Sequence, residues 1–123
     1  MSFETFMEAY IEALMWSESD DEGRYFEDKA EITDEALAAI EADCRAFYTA
    51  YVDTWRGANR RASEYTDDEL AGYHLALTRN RHGAGFWDGD WQEPAATALT
   101  EAARRWGPQG LYRGDDGKVY VSD

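Results

Sequence analysis

Residues 33–57 read TDEALAAIEADCRAFYTAYVDTWRG, and this stretch decides the fold class. Leu37, Ile40, Cys44, Phe47, Tyr48, Tyr51 and Trp55 recur at three- and four-residue spacing, which traces one face of a helix over about 34–56. Thr33 offers an N-cap oxygen, Asp34 and Glu35 suit the positive end of the helix dipole, and Gly57 ends the run.

Upstream, Phe3, Phe6, Met7, Tyr10, Ile11, Leu14 and Met15 predict an amphipathic helix over 3–17, with Ser2 as N-cap. Downstream, Thr66-Asp67-Asp68-Glu69 fits a capping box that opens a third helix to about Arg79, with Leu70, Tyr73, His74 and Leu77 facing inward. Pro94 suits the first turn of a fourth helix, whose inner face is Leu99, Ala102, Ala103 and Trp106 and which Gly107-Pro108 stops. Leu111–Arg113 and Lys118–Val121 flank Gly-Asp-Asp-Gly at 114–117, the pattern of a β-hairpin. Such a hairpin is marginal alone and must pack on the helices or pair with another strand. The expectation is a mainly α (α+β) fold, a four-helix single domain over 1–123. It comprises an acidic helix and connector (1–32), a helical core (33–107) and a small C-terminal hairpin (108–123).

The chain of 123 residues carries a net charge of −14. Residues 1–43 hold nine Glu and five Asp against only Arg24 and Lys29, so the acidity belongs to the N-terminal third. That sign repels a phosphate backbone, excludes unaided duplex DNA binding and steers towards basic partners. It also serves solubility. Glu4, Glu8 and Glu12 form one stripe on the first helix, either a solvated face or a partner-facing one. Arg56, Arg60 and Arg61 read as a complement to the helix dipole and as ion-pair partners for the acidic third. Cys44, the only cysteine, falls at a core position and excludes an intrachain disulfide, as in a reducing compartment. Glutamates interrupt the apolar residues at the start, so no signal peptide is read, and no run is long enough to span a membrane. A cytoplasmic protein is expected.

Chemistry has few footholds. In the connector 18–32, a calcium loop starting at Asp20 would put Arg24 at the fifth position, where an oxygen is required. Tyr25 and Phe26 are expected to pin that connector to the core. The segment 77–91, LTRNRHGAGFWDGDW, packs rings, glycines and both signs of charge into a short run, a composition suited to recognition. Its candidate residues are Arg79, Arg81, His82, Trp87 and Asp88. Asp88 or Asp90 beside His82 would orient a general base, or contribute to a metal site centred on His82. His74 reads as a core or boundary histidine. Gly83-Ala84-Gly85 lacks the lysine and the preceding strand of a phosphate loop, so its simpler role is backbone freedom that lets Phe86 and Trp87 turn back onto the core as structural anchors. No nucleophile motif is visible; no catalytic residue, metal or cofactor is assigned.

Four stretches resemble a group of small phage and prophage proteins. They are Tyr10-Ile11-Glu12 with Met15-Trp16-Ser17, Ala42–Phe47, Leu77–Asp88 with its LTRNRHGAGFWD run, and Leu111-Tyr112 with Gly114–Tyr120. The chain departs from the group's pattern at Tyr73–Ala76 and at Gly89-Asp90-Trp91. The resemblance implies a setting inside an infected bacterial cell and supplies no catalytic residues. Small acidic phage proteins of this kind imply binding to host machinery, with an anti-CRISPR protein as the most concrete form. The expected function is therefore non-enzymatic. An acidic face of Glu4, Glu8, Glu12, Asp20, Asp21 and Glu22 would mimic nucleic acid and block a basic surface of a host defence complex. One alternative is an accessory protein of phage nucleic-acid metabolism, in which Arg79, Arg81, Phe86 and Trp87 contact single strands or a protein partner, and a third reading is a small hydrolase or metal enzyme centred on His82.

Overall fold

Side-chain hydroxyls fix the starts of the first three helices in the computed structural model, which describes residues 2–19, 22–26 and 31–122. Ser2 accepts from the Thr5 amide (3.2 Å) at the start of α1, Phe3–Ser17. Thr33 accepts from the Ala36 amide (3.1 Å) at the start of α2, Asp34–Trp55. Thr66 accepts from the Glu69 amide (3.2 Å) at the start of α3, Asp67–Arg79. Each satisfies a backbone donor that has no partner inside its helix. The fourth helix, α4 (Ala95–Trp106), begins differently. Pro94 stands at the cap position rather than inside the first turn, and the Glu93 carboxylate takes the Thr97 amide instead (2.9 Å).

The fold is mainly α with a small hairpin at the C-terminal end. Strands β1 (Leu111–Arg113) and β2 (Val119–Val121) pair antiparallel, with Tyr112 opposite Tyr120. The hairpin is held against the segment that enters α2. Val119 is fully buried and bridges in parallel to Ile32, and its carbonyl accepts from the Thr33 amide (3.0 Å) at the entry to α2.

Aromatic rings make the centre of the core. Trp55 of α2 stacks on Phe6 of α1 (5.1 Å between centroids) and on Phe47 (6.1 Å), and Phe47 stacks on Phe86 (6.3 Å). The buried line of α2 runs through Ala36, Ile40, Cys44, Phe47 and Trp55. Leu37, in the first turn of α2, shares the azimuth of this line yet is 38% exposed, contrary to the expected burial. In the connector Phe26 is buried, whereas Tyr25 is exposed and does not pin it. Cys44 is fully buried, and burial raises its thiol pKa, so it serves as a small apolar group.

A buried carboxylate anchors the start of α3. Asp68 has no exposed surface and accepts from the Trp55 indole (2.8 Å), the Tyr48 hydroxyl (2.9 Å) and Arg56 (3.2 Å). Arg61 pairs with Glu64 and with Asp90 (3.5 Å). Arg56 and Arg61 are thus engaged by neighbours in their own part of the chain, not by the acidic N-terminal third.

Helices α1 and α3 form the closest helix pair, and Gly72 permits it. A Cβ at position 72 would lie 2.2 Å from the Phe6 carbonyl oxygen and 2.9 Å from the Ala9 Cβ. In an open helix, alanine in place of glycine gains about 1 kcal/mol. Here the overlap with backbone outweighs that gain. Gly72→Ala is expected to lower the unfolding free energy by roughly 1–3 kcal/mol in urea denaturation; a stabilised variant would refute the close-packing account.

Candidate functional site

The segment 77–91 folds mostly inward. Arg79 is 4% exposed. Its guanidinium donates to Asp43 of α2 (3.0 Å), to the Tyr10 hydroxyl of α1 (3.1 Å) and to the Gly107 carbonyl after α4 (2.7 Å). Tyr10 in turn donates to Gln109, and burial raises its pKa. Arg79 therefore ties α3 to α1, to α2 and to the end of α4, and it presents almost no surface to a partner. Phe86 is fully buried, its amide bonded to the Thr78 hydroxyl (3.0 Å). Gly85 lies so close to α3 that a Cβ there would sit 2.2 Å from that hydroxyl oxygen. The single-strand reading thus loses two of its four contact residues to the core. Arg81, Trp87 and Asp88 remain exposed, and Asp88 accepts from the Gly85 amide (3.2 Å).

The carboxylates expected beside His82 gather instead at His74. The nearest carboxylate recorded for His82 is Glu18, its Oε2 3.6 Å from Nε2, too far for a hydrogen bond. Burial raises the Glu18 pKa, and His82 partly counters this. His74, Asp88 and Asp90 bring their potential ligand atoms within 4.8 Å of one another. One hydrogen bond limits what this cluster can do. The Trp91 indole donates to His74 Nδ1 (2.7 Å), and an indole N–H only donates. Nδ1 therefore keeps its lone pair, and the proton of the neutral ring sits on Nε2, 3.6 Å from Asp90 Oδ2. A metal at Nε2 would need that proton moved to Nδ1, against the Trp91 donor. His74 is thus held as an acceptor for Trp91, whose ring packs against Phe86 (5.7 Å between centroids).

The acidic residues point the other way, to solvent. Glu4, Glu8 and Glu12 are exposed along one side of α1. Glu69 of α3 joins them around a groove of about 300 Å³. Sequence spacing on α1 alone could not reveal Glu69, because its place depends on how α3 crosses α1. Tyr73 closes this groove, its hydroxyl donating to Glu12 (3.2 Å); burial and then the Glu12 charge push the Tyr73 pKa up to about 12. Glu22 is exposed and pairs with Arg24 (3.3 Å). Asp20 and Asp21 lie outside the described residues. The groove continues into a cleft of about 260 Å³, which Glu12 and Tyr73 share with Trp16, Tyr65, Arg61 and His74.

Comparison of the chain with protein-family models, with characterised proteins and with solved structures gave no match in any of the three. Among the described residues no helix is long and apolar enough to cross a membrane.

Two outcomes follow from these networks. Arg79→Ala should cost roughly 2–4 kcal/mol in chemical denaturation, since it strips partners from Tyr10 and the Gly107 carbonyl and leaves Asp43 only partly solvated. Arg81→Ala, at an exposed position, should stay within about 0.5 kcal/mol. The second outcome concerns pH. Burial lowers the His74 pKa below 6.5, with Asp88 and Asp90 opposing. The unfolded chain therefore takes up the His74 proton first, and the stability present above 6.5 is lost as pH falls towards the folded pKa. Thermal melts from about pH 8 to about pH 5 should show the advantage of wild type over His74→Gln shrinking as pH drops.

Proposed function

We propose that this protein is a non-catalytic binder whose acidic α1 face, joined by Glu69 of α3, occupies a basic nucleic-acid-binding surface of another protein. The observation that carries this reading is the placement of Glu4, Glu8, Glu12 and Glu69 around one exposed groove. The charge separation along the chain supports it, because residues 1–43 hold most of the net negative charge. So does the energetics of α1. Like charges four residues apart cost a helix a few tenths of a kcal/mol per pair. Mutual repulsion along the stripe opposes helix formation, which suits a face kept for electrostatic docking. The carboxylates of α1 step by about 6 Å along the helix, whereas duplex DNA carries a charge every ~1.7 Å of axis. The face would therefore act through its summed potential, with Glu69 adding to it, rather than as a replica of phosphate positions.

The resemblance to small phage proteins supplies the setting for such a surface. The target proposed on that basis is a host defence complex, of CRISPR type in its most concrete form, whose nucleic-acid channel would be blocked. The test uses immobilised protein and bacterial lysate freed of nucleic acid. Wild type should capture a nucleic-acid-binding complex at about 50 mM salt and release it at about 500 mM, where the Debye length falls to a few Å. The released complex should regain DNA binding, and the triple variant Glu4→Lys, Glu8→Lys, Glu12→Lys should capture nothing. Capture that survives both high salt and charge reversal would sink the electrostatic reading.

A further inference from the structure

The cleft at the C-terminal end of α1 has a chemistry that the acidic stripe alone does not. Trp16 continues the spacing of Glu4, Glu8 and Glu12 by four more residues and is 54% exposed. It lines the cleft of about 260 Å³ together with Glu12 of its own helix, Tyr73 of α3 and Tyr65 just before α3. Among the described residues no ring, cation or hydrogen-bond partner is recorded for the Trp16 side chain. A large exposed ring beside a carboxylate is a receptor for a planar cation. The ring face attracts the charge, and the carboxylate accepts N–H groups at its edge.

The same cleft already holds one example of this pairing. The Arg61 guanidinium lies over Tyr65, 4.9 Å from the ring centroid, and pairs with Glu64 and Asp90. Its charge is thereby neutralised locally. Glu12 accepts the Tyr73 hydroxyl at Oε2, which leaves further acceptor capacity on the carboxylate. The cleft's volume lies below the ~300–1,000 Å³ of small-molecule pockets and suits a single side chain. A nucleic-acid base stacked on Trp16 would bring its phosphate against the Glu4–Glu12 stripe, which charge forbids.

We propose that this cleft receives an arginine side chain of the protein partner, its guanidinium against Trp16 and Tyr73 and paired with Glu12. The inference rests on the reading of the acidic face as a docking surface. It adds the anchor that gives the surface specificity beyond charge, in keeping with the weight that Trp and Arg carry at interfaces.

Two acetylated, amidated pentapeptides serve as probes, one all lysine and one with a central arginine among lysines. Their affinities are measured by NMR titration at low ionic strength, with the Trp16 indole resonance assigned by its loss in Trp16→Phe. The arginine peptide should bind about fivefold to tenfold tighter than the lysine peptide and should shift the Trp16 indole resonance. Trp16→Ala, and separately the exposed Glu12→Gln, should reduce that ratio towards unity; both are checked for an unchanged melting temperature. Equal binding of the two peptides to wild type, or a preference that survives both substitutions, would overturn the arginine cleft while leaving the acidic docking surface standing. Failure of both peptides to bind at low salt would overturn both readings.

Discussion

The contact between α1 and α3 at Gly72 governs the rest of the molecule. With the Phe6 carbonyl only 2.2 Å from where a side chain at position 72 would begin, the two helices meet backbone to backbone. That approach sets Phe6 on Trp55 and places Tyr10 within reach of Arg79. It also brings Tyr73 to Glu12, so the groove between the acidic stripe and α3 is a direct product of the same contact. A larger residue at 72 would move the core and the candidate interface together. Core packing and the shape of this groove are coupled here through one glycine.

Two buried polar centres complete the arrangement, and they act at opposite ends of α3. Asp68 at its start takes donors from α2 and the residue after it; Arg79 at its end donates to α1, α2 and the carbonyl after α4. Apolar packing is tolerant of small rotations and slides, because it has no direction. Hydrogen-bonded charges are not, since a misplaced helix would leave Asp68 or Arg79 buried without partners at a cost of kcal/mol order. The two centres therefore fix the register of α3 against its neighbours, while the aromatic stack supplies the bulk of the burial.

Much of the secondary structure was legible because it rests on local signals. Ser2, Thr33 and Thr66 announce helix starts through their own hydroxyls, and the glycine turn announces the hairpin. The charged side chains at 77–91 were not legible. Arg79 is charged and lies in a loop-like composition, which reads as exposed; only the convergence of Asp43, Tyr10 and Gly107, far apart in the chain, explains its burial. His82 drew attention for its neighbours Asp88 and Asp90, yet the turn at Gly85 carries those carboxylates back to His74. The candidate interface was half visible. The stripe on α1 follows from helical spacing, whereas Glu69 and the Trp16–Tyr73 cleft depend on the crossing of α1 over α3.

Charge is distributed by the fold as well as by the sequence. Arg56, Arg61, Arg79 and Arg113 are each taken up by a carboxylate close to them in space, Asp68, Glu64 with Asp90, Asp43 and Glu31 respectively. Among the described residues no cation pairs with Glu4 or Glu12. These internal pairs take up four of the twelve cations and leave the α1 face with its negative potential. A protein needing acids only for solubility would gain by interspersing bases along that helix, since Glu–Lys pairs four apart would stabilise it. Local helix stability is forgone on one face, and that face lines a groove ending in an exposed tryptophan. The docking role proposed for this face accounts for that departure from local consistency, which folding alone does not.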